Sequence, residues 1–102
     1  MKTEKQNSSE DNVIFIGEKP FMNYVTSVIM QFTSKNQKEV IIKARGKFIT
    51  RAVDVAEVSK KKFLDDQKVD IKNIKIDSEE FTNKEGRKIN VSTIEITLEK
   101  KE

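Results

Sequence analysis

Val40-Ile41-Ile42-Lys43-Ala44-Arg45-Gly46-Lys47 decides the fold. Its apolar triplet is of buried-strand length, and Gly46 marks a sharp turn. A helix is predicted over residues 48–63, where Ile49, Ala52, Val53, Ala56 and Phe63 share one face. Lys60-Lys61-Lys62 suit its carboxyl end, and Asp65-Asp66-Gln67 closes it. The same unit occurs upstream. Asn12 opens the apolar run Val13-Ile14-Phe15-Ile16, and Gly17-Glu18-Lys19-Pro20 breaks it. Pro20 suits the first helical position, where a missing N–H costs nothing. Phe21, Val25, Val28, Ile29 and Phe32 then fall on one helical face, and Thr33-Ser34-Lys35-Asn36-Gln37 ends that helix.

The last third of the chain reads as β. Val69 and Ile71 alternate, then Ile74 and Ile76 alternate in the opposite phase, which points to a bulge or a late strand start. Asn83-Lys84-Glu85-Gly86 has the residues of a tight turn. Residues 89–99 follow, with Ile94, Ile96 and Leu98 alternating. Between residues 77 and 88 the only large apolar side chain is Phe81, so this ribbon has little to bury and is expected to project. Seven residues a side would reach roughly 23 Å at about 3.3 Å per residue. The order is therefore β-α-β-α-β-β, an α/β arrangement with parallel pairing across right-handed crossovers and an antiparallel closing hairpin.

Composition narrows the chemistry. The chain has 102 residues, enough for one domain, and 36% of them are charged, where about 25% is usual. It contains no Cys and no His, which removes disulfides, thiolate zinc sites and the Ser-His and Cys-His nucleophile pairs. No metal, cofactor or catalytic residue is expected. Net charge is only +3, so the distribution of charge must carry any argument about partners. No apolar run approaches the length of a membrane span. Residues 1–11 are polar after Met1 and are expected to form a disordered tail without a signal peptide, ahead of a single domain over residues 12–100. The protein is expected to be soluble and intracellular.

Residues 38–51 hold Lys38, Lys43, Arg45, Lys47 and Arg51 against the single acid Glu39, a local charge of +4 that exceeds that of the whole chain. Three of these bases surround a turn at the carboxyl edge of the strands, where ligands bind in open α/β sheets. A helix start there adds unpaired N–H groups and the positive end of the dipole. Phosphate binding and an ordinary solvated loop both fit this pattern. Lys19 sits at the same edge, in a loop that lacks the glycine framing of a phosphate-binding nucleotide loop. Lys84, Arg87 and Lys88 put bases at the hairpin tip, which suits a groove of nucleic acid or a charged edge that resists aggregation. Phe63 is either the end of the core stripe or an exposed contact for a partner, and spacing favours the core. Neither Tyr24 nor the phenylalanines announce a base-stacking platform.

Several blocks taken together resemble the Alba family of chromatin and RNA-binding proteins, of archaeal type. They are Asn12-Val13-Ile14-Phe15-Ile16-Gly17-Glu18-Lys19-Pro20-Phe21-Met22-Asn23-Tyr24-Val25, Ile41-Ile42-Lys43-Ala44-Arg45-Gly46-Lys47, Ala52-Val53-Asp54 and Val91-Ser92-Thr93-Ile94-Glu95-Ile96. The resemblance implies a two-layer α/β fold with a mixed four-stranded sheet in the order 1-2-4-3 and a projecting hairpin arm. It also implies a homodimer that binds double-stranded DNA and RNA largely without sequence preference, in the cytoplasm and on the chromosome. The family's basic loops correspond to Lys19, Lys43, Arg45, Lys47 and Arg51, and its minor-groove arms to Arg87 and Lys88. Its second-helix aromatic, which packs dimers side by side, corresponds to Phe63, and this favours a contact role over a core one. One position departs: many members carry two lysines before the proline, the first an acetylation site, and here that position is Glu18. The departure implies weaker duplex binding. Other readings are a ribonucleoprotein component, a protein-interaction module on the same fold and, remotely, a metal-dependent nuclease.

Overall fold

Alternation along the second strand divides the molecule into two sides. Val40, Ile42 and Ala44 are buried, while Glu39, Ile41, Lys43 and Arg45 point the other way. The computed structural model describes residues 12–101, so the expected tail lies outside the described residues. The elements are β1 (Val13–Phe15), α1 (Phe21–Thr33), β2 (Glu39–Arg45), α2 (Ile49–Val58), β3 (Val69–Thr82) and β4 (Lys88–Lys100). The sheet order is β1-β2-β4-β3, with β1 parallel to β2 and both β2 and β3 antiparallel to β4. This is the mixed sheet that the resemblance implies.

Both helices pack on one face of the sheet, over β1, β2 and β4. Between them lies a core that includes Val25, Val28, Phe32, Ile42, Val55, Leu64, Ile96 and Leu98. Pro20 stands at the cap of α1 rather than in its first turn, with the N–H of Asn23 donating to its carbonyl at 2.9 Å. Two expectations about burial fail. The apolar run at β1 is not enclosed on both sides, because its strand lies at the sheet edge and Phe15 faces away from the helices. On α2 the inward residues are Ala52, Val55, Ala56 and then Ser59, while Val53 is 41% exposed.

Phe63 is also turned outward, at 47% exposure, and Leu64 is buried in its place. The cause is a π-helical turn over Ser59–Phe63, closed by the N–H of Leu64 donating to the carbonyl of Ser59 at 2.9 Å. One extra residue in the turn rotates every later side chain, so a strict helical period mis-assigns the last apolar position. Full burial of a leucine supplies about 1.5–3 kcal/mol, which favours this register.

The phase change in β3 is a bulge. Ile71 opposes Leu98 and Asn73 opposes Thr97, leaving Lys72 as the extra residue. Lys72 reaches Glu39 of β2 and lies 3.9 Å from Glu99 of β4. Its hydrogen bond to the Glu39 carboxylate holds its ammonium pKa above the ordinary 10.5. Beyond the bulge, Ile74 and Ile76 oppose Ile96 and Ile94 on the helix-bearing face, yet they are 54% and 76% exposed. Neither helix extends its main packing to β3.

The hairpin projects as expected but over a shorter free length. β2 stops at Arg45 opposite Thr93, so the unsupported ribbon runs from the pair Ser78/Ser92 to the pair Thr82/Lys88. Five residues a side give roughly 17 Å at about 3.3 Å per residue. The turn closes with the N–H of Gly86 donating to the Asn83 carbonyl at 3.0 Å, and the N–H of Asn83 donating to the Arg87 carbonyl at 2.9 Å. Asn83 Oδ1 accepts from the N–H groups of Glu85 and Arg87, both at 2.9 Å. Gly86 has φ +83°, the left-handed residue of a three-residue hairpin loop.

Candidate nucleic-acid interface

The loops after β1 and β2 meet at one edge of the sheet. Tyr24, on α1, is buried, and its hydroxyl accepts from the N–H of Gly17 at 2.9 Å and from the N–H of Lys19 at 3.0 Å. Arg51, on α2, donates to the Gly17 carbonyl and lies over the Tyr24 ring at 5.6 Å. The turn between Gly17 and Pro20 is therefore held from both helices. Arg51, expected as a phosphate ligand, engages one guanidinium nitrogen in this internal bond and is half-buried. Lys19 is left exposed at the surface.

The bases of the second loop divide between two positions. Because β2 runs through Arg45, Lys43 and Arg45 are strand residues on the open sheet face and do not surround the turn as the sequence suggests. Gly46 and Lys47 alone of the central segment form the turn, a single 3₁₀ coil over Gly46–Phe48 that leads into α2. Gly46 takes φ +58°, a conformation that admits glycine without the penalty of a side chain. No acidic residue lies in the first turn of α2 and no side chain caps it, but the preceding 3₁₀ turn engages its leading N–H, with Ile49 donating to the Gly46 carbonyl, so the helix start offers chiefly its dipole to an anion.

Each base of this segment has an acidic neighbour. Lys43 is 3.6 Å from Glu95, Arg45 is 3.3 Å from Glu79, and Lys47 is 3.8 Å from Glu18. Pairs this exposed are worth about 0–1 kcal/mol and can yield to a phosphate. The Lys47–Glu18 pair ties the two loops together and puts the acid at the basic edge. Arg45 also lies 5.4 Å from the Phe81 ring, so the outer part of the hairpin leans back on it. Arg87 and Lys88 sit at the far end of that arm. The structure thus gathers Lys19, Lys47 and the start of α2, sets Lys43 and Arg45 around the corner on the sheet, and carries Arg87 and Lys88 outward.

Elsewhere the charges behave as an ordinary solvated surface. Lys60 pairs with Glu57 and Asp70, both at 3.7 Å, and Lys61 pairs with Glu57 at 3.4 Å. The N–H of Ile71 donates to Asp70 and is the main reason its carboxyl lies below the ordinary 3.8. Among the described residues no three acidic side chains cluster as a metal site requires, and no helix is long and apolar enough to cross a membrane. Sequence reasoning missed Tyr24, whose polar tip holds the Lys19 loop. It fell outside the apolar stripe of Phe21, Val25, Val28, Ile29 and Phe32. Phe15 was missed for the opposite reason, since an apolar run conceals which of its members is exposed.

Comparison with known proteins agrees with this geometry. The Alba family model matches residues 12–78. The DNA/RNA-binding protein Alba of Methanocella arvoryzae is 55% identical over 91 residues, covering 89% of this chain and 92% of that protein. The DNA/RNA-binding protein Alba 1 of Archaeoglobus fulgidus is 54% identical over 91 residues, covering 89% of this chain and 98% of that protein. The solved structure of Alba from Thermoplasma volcanium superposes with a TM-score of 0.79 at 48% identity, covering 87% of this chain and all of that one. A matched family model over most of the chain, close relatives along nearly their whole length and a shared sheet order lead to one conclusion: the chain belongs to the Alba family.

Proposed function

We propose that this protein binds double-stranded DNA and RNA as a homodimer, through phosphate contact and without sequence preference. The observation that carries the reading is the convergence of the two strand-to-helix loops, held by Tyr24 and Arg51, on an edge bearing Lys19 and Lys47. The names of the relatives, DNA/RNA-binding protein, support it. Lys43 and Arg45 extend the interface along the sheet, and Arg87 and Lys88 bring the arm to a groove. Arg51 serves chiefly by holding the loop. No catalytic step and no cofactor belong to the proposal, and the cytoplasm and chromosome are its natural setting.

Dimerisation is supported by Ile74 and Ile76, an apolar strip on the helix-bearing face that the chain's own helices leave open. Phe63, turned outward by the π turn, suits packing between neighbouring dimers on nucleic acid. Glu18 beside Lys47 makes binding weaker than in relatives with lysine there. The test is a salt titration of binding to matched duplex DNA and duplex RNA, with Arg45→Ala and Lys47→Ala. Each substitution removes one phosphate interaction per subunit, so it should lower the salt slope of the dimer by about 1.8 and weaken all sequences alike. Unchanged affinity would favour the protein-interaction reading.

A further inference from the structure

The sheet carries its helices on one face only, and the other face, onto which Lys43 and Arg45 extend the interface, also holds an exposed ring that phosphate contact does not use. Register sets Phe15 of β1 beside Lys43 of β2, and Lys43 beside Glu95 of β4. Phe15 is 70% exposed, more than any other aromatic side chain among the described residues. The Lys43 ammonium lies 5.8 Å from its ring centre and 3.6 Å from Glu95. One rung further, Arg45 covers Phe81 and meets Glu79. The Phe15 ring borders two depressions. One, of about 350 Å³, also touches Lys43, Arg45, Thr93 and Glu95. The other, of about 440 Å³, lies between the β1 edge and α1 and also touches Lys19, Asn23 and Ser27.

We propose that Phe15 is a stacking platform for an unpaired base, and that this open face is a second nucleic-acid site, for single-stranded RNA. The ring selects that ligand. Lys43 and Arg45 can give phosphate contacts to either ligand once their exposed pairs with Glu95 and Glu79 yield, so what this face adds beyond the duplex interface is the ring. An exposed ring on an edge strand offers what a base paired inside a duplex cannot use and an unpaired one can. RNA presents such bases in loops and bulges. With a base on Phe15, the Lys43 ammonium and the Glu95 carboxylate stand ready as donor and acceptor for its edge. The adjoining phosphate crosses the β1 edge toward Lys19. This site goes beyond the duplex reading and does not depend on it.

The chain contains no Trp, so Phe15→Trp introduces a single reporter and keeps a stacking ring. A short single-stranded RNA of mixed sequence should quench its fluorescence. Phe15→Ala should weaken that RNA by about 5- to 150-fold, the range for one stacked base. Its affinity for duplex DNA should stay within about twofold. Lys47→Ala should do the reverse, lowering duplex affinity and salt slope while leaving the quenching in place. Circular dichroism on each variant separates binding from folding. Wild-type RNA affinity in Phe15→Ala, or an equal loss on duplex DNA, overturns the proposal. So does a change of oligomeric state in Phe15→Ala, which would make this face an interface between copies. Quenching by the matching DNA strand but not by RNA overturns the assignment to RNA.

Discussion

Replacing Glu18 by Lys tests the geometry of the basic edge most directly. Glu18 lies 3.8 Å from Lys47, so the change removes an acid that competes with phosphate and adds a base in its place. The charge shifts from −1 to +1, two units per subunit and four per proposed dimer. An exposed pair holds Lys47 by at most about 1 kcal/mol, so it weakens phosphate binding there without abolishing it. Each additional phosphate neutralised steepens log K against log salt by about 0.9. One new phosphate per subunit therefore adds about 1.8 to the slope of a dimer, and two add about 3.6. If the phosphate term vanishes near 1 M salt, a slope gain of 1.8 means roughly 60-fold tighter binding at about 0.1 M. Glu18→Gln removes the acid without adding a base, and its slope gain should stay at or below about 1.8. Fluorescence anisotropy of a labelled duplex across a salt series measures both quantities. Wild-type affinity and slope in both variants would mean that Glu18 does not face the nucleic acid, and the weakening argument would fall.

Five other substitutions probe the fold and its surfaces. Tyr24→Phe deletes the acceptor for two loop N–H groups and should cost about 1–2 kcal/mol in urea denaturation while lowering duplex affinity; a variant as stable as the parent would remove Tyr24 from its role. Leu64→Ala should cost about 2–5 kcal/mol and Phe63→Ala under about 0.5, and the reverse order would refute the π turn. Ile76→Glu should shift sedimentation from the proposed dimer to a monomer, and a persistent dimer would move the interface off this strip. Without His, thermal stability should be level between about pH 5.5 and 7. Asp70 has a lowered folded-state pKa, so its contribution is present above the ordinary 3.8 and is lost as pH falls through the lowered value. Asp70→Asn should flatten that acid limb, and an unchanged limb would count against the Ile71 hydrogen bond as its cause.

Much of this architecture was legible along the chain, because local periodicity reports local structure. Val25, Val28 and Phe32 announced the buried face of α1, and the phase slip between Ile71 and Ile74 announced a bulge that register places at Lys72. Asn83 and Gly86 announced a turn that their hydrogen bonds close. The basic segment was visible as charge density, and the family resemblance supplied the strand order that periodicity cannot, since no local pattern says which strand lies beside which.

The sequence by itself determined the succession of elements, the apolar stripe of α1 and the concentration of bases near Gly46. Tertiary structure alone decided how those parts face one another. One extra residue in a π turn exchanged Phe63 for Leu64 in the core, because helical phase accumulates and a single insertion rotates everything after it. Extension of β2 through Arg45 moved Lys43 and Arg45 onto the open sheet, because a strand alternates its side chains for as long as it finds a partner to pair with. Phe15 became a surface ring because β1 ended at the edge of a sheet covered on one side only. Burial and partnership are properties of neighbours far apart in the chain, and only packing brings those neighbours together.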